Sequence, residues 1–278
     1  MIAKAIYKPN FDAIVLQENE FSRFRELIYR IAGISMSPSK KPLVTSRLAK
    51  RLHHYGLASY GEYFQMITAA NGHKELQVAV DLLTTNETHF FREPKHFDFL
   101  RQRIVPMRKL GKPLRIWSAA CSSGEEPYSI AMLLDDVLGN APWEIIASDL
   151  STRVLEKARS GHYPMTRVME IPSRYLSNYC LKGTGSQEGT LLIEHKLRER
   201  VQFIHYNLTE SPPKLGEFDV IFLRNVMIYF DQETKRRVVN RLLSMLRSGG
   251  HFLVGHSETL NGVNEELRLV QPAVYWKP

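Results

Sequence analysis

Apolar residues in the first third of the chain recur every three or four positions. Phe21, Phe24, Leu27, Ile28 and Ile31 form one such stripe, and it stops at Gly33, a residue that tolerates the positive φ of a helix C-terminus. A second helix is predicted behind Pro38, carrying Leu43, Val44, Leu48 and Leu52 and stopping near Gly56. A third starts behind Ser59 as N-cap and sets Tyr60, Tyr63, Phe64 and Ile67 on one face. Asn71 and Gly72 break the pattern before a further helical stretch over residues 75–83. Residues 1–71 are therefore expected to form an all-α domain, and residues 72–85 a connector.

From Leu114 the period changes. Short apolar runs at 114–119, 144–148, 201–206, 218–223 and 251–255 alternate with amphipathic stretches such as 231–247, whose Val238, Val239, Leu242, Leu243 and Leu246 make a stripe ended by Gly249 and Gly250. That alternation predicts an α/β domain over residues 86–278 built on a doubly wound, Rossmann-like parallel sheet. A last strand is expected at 273–277. Residues 171–200 break the alternation with Gly183, Thr184, Gly185 and Gly189 around a short strand at 190–193, which predicts a small antiparallel β insertion.

Composition narrows the setting. The 278 residues are 44% hydrophobic, enough for a substantial core, and no apolar run approaches the length of a membrane span. The opening residues Met1, Ile2, Ala3 and Lys4 begin no secretory h-region. Cys121 and Cys180 are the two cysteines, too few for a disulfide framework or a paired-cysteine metal site, so a cytoplasmic protein without a structural metal is expected. A formal net charge of +8 favours an acidic partner. The charge is unevenly placed, because no Asp or Glu lies between Leu27 and Gly61, whereas Arg30, Lys40, Lys41, Arg47, Lys50 and Arg51 all do.

Ligands of doubly wound sheets lie beyond the carboxyl ends of the strands, so those positions are where the chemistry is expected. The first strand runs into small residues (Ala119, Ala120, Cys121, Ser122, Ser123, Gly124) and then Glu125, Glu126 and Pro127, which open a helix. One glycine is fewer than a dinucleotide fingerprint needs, and two adjacent acids would repel a pyrophosphate. A cofactor without phosphate and with a cationic end is more compatible. Asp149 follows the second strand, placed either to accept from ribose hydroxyls or to cap the helix from Thr152, a duty Ser151 could also fill. Asn207 and Leu208 follow the third strand as an amide and an apolar wall, and Arg224 and Asn225 leave the fourth as a polar pair.

Five ordered motifs make the pattern specific. Residues 84–93 (TTNETHFFRE), 118–129 (SAACSSGEEPYS), 147–149 (ASD), 224–230 (RNVMIYF) and 255–258 (GHSE) resemble the signatures of the chemotaxis receptor methyltransferases, the CheR family, over nearly the whole chain. The resemblance implies a class I methyltransferase fold and a cytoplasmic enzyme. It would transfer a methyl group from S-adenosylmethionine to glutamate carboxylates on receptor helices, releasing S-adenosylhomocysteine. It implies cofactor contacts at Asn86, Thr88, Arg92, Glu126, Asp149, Asn207, Leu208, Arg224 and Asn225, with Arg92 and Tyr229 at the reacting carboxylate.

A glutamate is already ionised at neutral pH, so this chemistry asks for no nucleophile-base pair. A nucleic-acid methyltransferase would share the fold, but its amino-directed members carry a Pro-Pro-aromatic segment where this chain has Arg224, Asn225, Val226 and Met227. Ring-carbon methylation would need a Pro-Cys that neither Cys121 nor Cys180 supplies. With the resemblance, Arg47, Lys50 and Arg51 on one helix become an expected platform for acidic receptor helices. The insertion is similar to those of members that capture an aromatic-containing receptor C-terminus by β-augmentation. A monomer is expected, with no nucleic-acid partner and no membrane insertion.

Overall fold

The computed structural model describes residues 14–107 and 111–278. Residues 1–13, which include the start of the expected helical domain and the opening residues Met1 to Lys4, lie outside the described residues. The chain divides into two compact units, residues 1–85 and 86–278.

The first unit holds α1 (Glu18–Ala32), α2 (Lys41–Tyr55), α3 (Tyr60–Thr68) and α4 (His73–Leu83). The predicted stops hold: Gly33 and Gly56 take left-handed φ values of 70° and 64°, and Ser59 accepts from the Glu62 N–H to cap α3. Phe21, Phe24, Val44, Leu48, Tyr60 and Tyr63 are buried in its core. The expected connector differs from the structure. Helix α4 buries Ala79, Val80 and Leu83 and packs on α2 and α3, so it is a member of the bundle.

The same packing engages two residues of the expected cationic platform. Arg47 donates to the carbonyls of Leu83 and Thr84 at 3.1 and 2.9 Å and to the Thr85 hydroxyl, satisfying the C-terminus of α4. Arg51 grips Glu75 with two bonds of 2.7 Å, and Tyr63 and Tyr55 donate to the same carboxylate. Both guanidinium groups tie helices of this unit together. Lys50 remains exposed.

The second unit opens with α5 (Lys95–Phe99), which continues as a π turn to Ile104. Its sheet comprises β1 (Leu114–Ser118), β2 (Trp143–Asp149), β6 (Val201–His205), β7 (Phe218–Leu223), β8 (Leu246–Val254), β9 (Arg268–Gln271) and β10 (Val274–Trp276). The seven strands run in the order β6-β2-β1-β7-β8-β10-β9. Strands β6 to β8 are parallel, and β10 and β9 are added antiparallel at one edge. Helices α6 (Glu125–Leu138), α7 (Thr152–Ser160) and α10 (Gln232–Leu243) connect them. From β1 the chain winds outward through β2 to β6, then returns to β7 on the other side. The topological switch point therefore lies between β1 and β7, where such sheets bind ligands.

Three boundaries differ from the sequence pattern. Helix α10 ends at Leu243, because the Lys277 ammonium binds the carbonyls of Leu243 and Leu246 and Gly249 and Gly250 pair with Lys277, extending β8 back to Leu246. Strand β9 went unseen because its residues are mostly exposed and carry no alternating signal. The insertion starts earlier than residue 171: Gly161 closes α7 with φ 60° and turns the chain into β3 (His162–Pro164). That strand joins β5 (Thr190–Ile193) and β4 (Cys180–Lys182) in a three-stranded antiparallel sheet, order β3-β5-β4. The short helices α8 (Ser173–Tyr179) and α9 (His195–Arg198) flank it.

Candidate active site

At the end of β1 the chain must pass close to its neighbours. The Ala119 and Cys121 N–H groups donate to Phe222 O and Ser148 O at 2.9 and 2.8 Å, extending the sheet register into the loop. Ser122 takes φ 48°, and its N–H donates to Asp149 Oδ2 at 2.8 Å while its hydroxyl donates to Asn86 O at 3.1 Å. Gly124 has φ 96°, and a Cβ there would meet Ala158 Cβ and the Tyr163 hydroxyl at 2.9 Å, so no other residue fits. Asp149, nearly buried at the end of β2, also accepts from Ser151 N–H at 2.9 Å. The helix cap is Ser151, whose hydroxyl accepts from Val154 N–H. Of the two duties read for Asp149, capping α7 falls to its neighbour.

The loop after β7 is organised around Arg224. Its side chain is 2% exposed, and it pairs with Glu126 at 2.7 Å and Glu93 at 2.9 Å and donates to the Arg92 carbonyl. Glu126 in turn accepts from the buried Ser118 hydroxyl at 2.6 Å. Glu93 also receives Asn225 Nδ2 and the His256 N–H at 3.3 and 3.0 Å. Burial pushes the Glu93 carboxyl up, but the Arg224 charge and these donors outweigh it and hold the group at about 2. Opposite, Glu258 accepts from the N–H groups of Asn225, Gly255 and Ile228. Phe91, Glu93, Ser122 and Asn225 all hold left-handed backbone, a conformation that non-glycine residues keep only where their surroundings enforce it.

The other predicted positions line the same end of the sheet. Asn207, after β6, folds its side-chain oxygen onto Thr209 N–H and hydroxyl at 3.1 and 2.8 Å, beside the buried Leu208. Thr88 offers its carbonyl to Arg167 at 3.2 Å. Arg92 is half-buried and donates to Glu87 O at 3.0 Å, the one bond its guanidinium makes among the described residues. Tyr229 is half-buried on the 3-10 turn Met227–Tyr229 that follows β7.

Residues 19–84 match the family "CheR methyltransferase, all-alpha domain", and residues 86–276 match "CheR methyltransferase, SAM binding domain". The chain belongs to the CheR methyltransferase family. Among its relatives, chemotaxis protein methyltransferase 2 of Pseudomonas aeruginosa is 44% identical over 259 residues, 92% of each chain. The chemotaxis protein methyltransferase of Salmonella typhimurium is 41% identical over 265 residues, 94% of this chain and 91% of the relative, and that of Escherichia coli is 40% identical over 267 residues, 95% and 92%.

The CheR site suits S-adenosylmethionine in charge. Glu125, Glu126 and Asp149 gather at the ends of β1 and β2, and the Arg224 charge is already shared between two carboxylates. A sulfonium with an ammonium group meets acidic surroundings there. The protein is an S-adenosylmethionine-dependent methyltransferase, and its SAM-binding domain is the second unit.

Arg224, expected to contact the cofactor, donates to Glu93, Glu126 and the Arg92 carbonyl, so its side chain also ties the 92–93 segment, the start of α6 and the β7 loop together. Glu93 and Glu258, to which the motif pattern assigns no role, join Glu126 in fixing the β7 loop. The signal available in the sequence was an acid at the end of two motifs that bracket the domain. His96, fully buried with its Nδ1 3.5 Å from Glu93, is held neutral by burial and by Arg224, which push its pKa down to about 3. Glu93, His96 and His256 are the only described trio with metal-type donors within 4.8 Å of one another. Within that trio Glu93 is already bound to Arg224, Asn225 and the His256 N–H.

Proposed function

We propose that this enzyme methylates glutamate side-chain carboxylates of chemotaxis receptors, leaving a glutamate methyl ester and S-adenosylhomocysteine. When bound, S-adenosylmethionine supplies an electrophilic methyl group on sulfur. Asp149 is assigned to the ribose, Asn207 and Leu208 to the adenine, and Asn86, Thr88, Arg92, Glu126 and Asn225 to the remainder, with Arg224 ordering them. The observation that carries the reading is a division of labour between two arginines. Arg224 is consumed by Glu93 and Glu126, whereas Arg92 keeps donors for an incoming carboxylate.

Arg92 and the Tyr229 hydroxyl orient that carboxylate and leave it anionic. With no proton to remove, the residues' task is alignment and exclusion of water, and orientation alone can be worth roughly 7 to 11 kcal/mol. The receptor partner is engaged as cytoplasmic helices by a monomeric enzyme in the cytoplasm, with Lys50 facing acidic side chains. A second contact is a receptor C-terminal peptide added to an edge of the insertion. Strand β4 is paired on one side only and exposes Leu181, and Gly183 lies so close to Gln187 O and Thr190 that only glycine fits the turn. Incubation with radiolabelled S-adenosylmethionine and receptor-containing membranes tests the reading. The label should leave as methanol on mild alkaline treatment; an alkali-stable label would overturn it.

A further inference from the structure

Segment 163–170, running from β3 toward α8, reaches both loops assigned to the cofactor. Tyr163 on β3 donates to Ser123 O at 2.7 Å and packs edge-on against Phe90, with ring centroids 5.0 Å apart. His89 pairs with Glu170. Between these lies Arg167, at the end of the 3-10 turn Met165–Arg167. Its Nη1 donates to the Thr88 carbonyl at 3.2 Å and stands 3.6 Å from Glu125 Oε1. Arg167 is itself half exposed, but Glu125 is only 1% exposed and opens α6 immediately behind the small-residue loop. Burial raises the Glu125 pKa, and the Ser123 hydroxyl and the Arg167 charge act in the opposite direction.

We propose that Arg167 is a positioning residue for the cofactor, holding residues 86–88 against the opening turn of α6 from the β insertion. This rests on the reading of Asn86 and Thr88 as cofactor contacts. An exposed arginine pairing with an exposed acid would contribute little. Arg167 differs because one partner is a backbone carbonyl of the binding loop and the other a buried carboxylate, so its loss frees the loop and strips a buried charge of its counter-ion. The insertion is thereby a structural part of the cofactor site as well as a surface that could carry a peptide.

The test compares Arg167→Ala and Arg167→Lys with Arg174→Ala. Arg174 carries the same charge on α8 of the insertion but pairs with Asp136, away from Thr88. Calorimetric titration with S-adenosylhomocysteine should show about a tenfold weaker Kd for Arg167→Ala, the loss expected for one charge-assisted hydrogen bond. KM for S-adenosylmethionine should rise in parallel, with kcat at saturation within about twofold of wild type. Arg167→Lys should recover part of the loss, and Arg174→Ala should bind as wild type does. A Kd for Arg167→Ala within about twofold of wild type would overturn the proposal, as would an equal loss in Arg174→Ala or a loss confined to kcat. A wild type that binds no nucleoside would instead overturn the cofactor reading, and this inference with it.

Discussion

Arg224 shows how one buried charge can organise the loops around it. Its two carboxylate partners come from opposite sides of β1 in sequence, Glu93 before and Glu126 after, and either would be costly to bury alone. Arg224→Met is accordingly expected to lose about 3 to 5 kcal/mol of stability, because it orphans both acids; denaturant unfolding measures this. Glu93 adds a pH dependence of known sign. Its folded pKa of about 2 lies below the ordinary 4.5, so its contribution is complete above that value and is lost as pH falls toward 2. Glu93→Gln should flatten the acid limb of the stability curve between those limits, and an unchanged limb would place the effect elsewhere. Asp149→Ala should weaken S-adenosylhomocysteine binding by about 3 kcal/mol or more while leaving helix content intact, since Ser151 caps α7. Calorimetry and circular dichroism on one preparation separate the two. At this scale the sequence disclosed which residues are polar at strand ends. It could not disclose that Arg224 faces inward, because the partners that turn it lie far away along the chain.

Among the elements, the helices of the first unit were the most legible. Their stripes, caps and terminal glycines are local signals, and each acted within a few residues of its position. Charge on those helices was less legible, since a periodic pattern does not say which cation finds a buried acid. On α2 two of the three basic residues expected on a docking face also brace the bundle. Burial pushes the Glu75 carboxyl up, and its bonds to Arg51, Tyr63 and Tyr55 outweigh that and leave it low. Arg51→Ala should therefore destabilise the helical unit by about 2 to 4 kcal/mol, read as a lower unfolding midpoint. Lys50→Glu should change stability by no more than about 0.5 kcal/mol and slow receptor methylation at low salt, when rates are measured across ionic strength. Equal rates for wild type and Lys50→Glu at low salt would remove this helix from receptor recognition. The β insertion lay between these cases: its glycines announced turns, but its first strand was hidden behind the C-terminal glycine of α7.

For the molecule as a whole, the division into a helical unit and a sheet unit is announced by a change of period near residue 114, and the units meet at residues 85 and 86, where the second domain is expected to begin. Every assigned cofactor position lies in residues 86–278. Saturating nucleoside at about 100 times Kd should stabilise that unit by about 2.7 kcal/mol, with slowed hydrogen exchange concentrated at residues 86–93, 118–126, 149–151 and 224–228. Uniform protection across the chain, or none at these loops, would argue against the assigned site. The bond between Glu93 and Arg224 joins residues 131 positions apart, and Glu258 closes the same loop from still further along. On a ribosome, residues 86–93 and 118–126 emerge long before either partner. At about 5 to 20 residues per second, Glu93 waits many seconds for its counter-ion. A nascent chain shorter than Arg224 thus carries both acids without the guanidinium that joins them, so the loops around them close only late in synthesis.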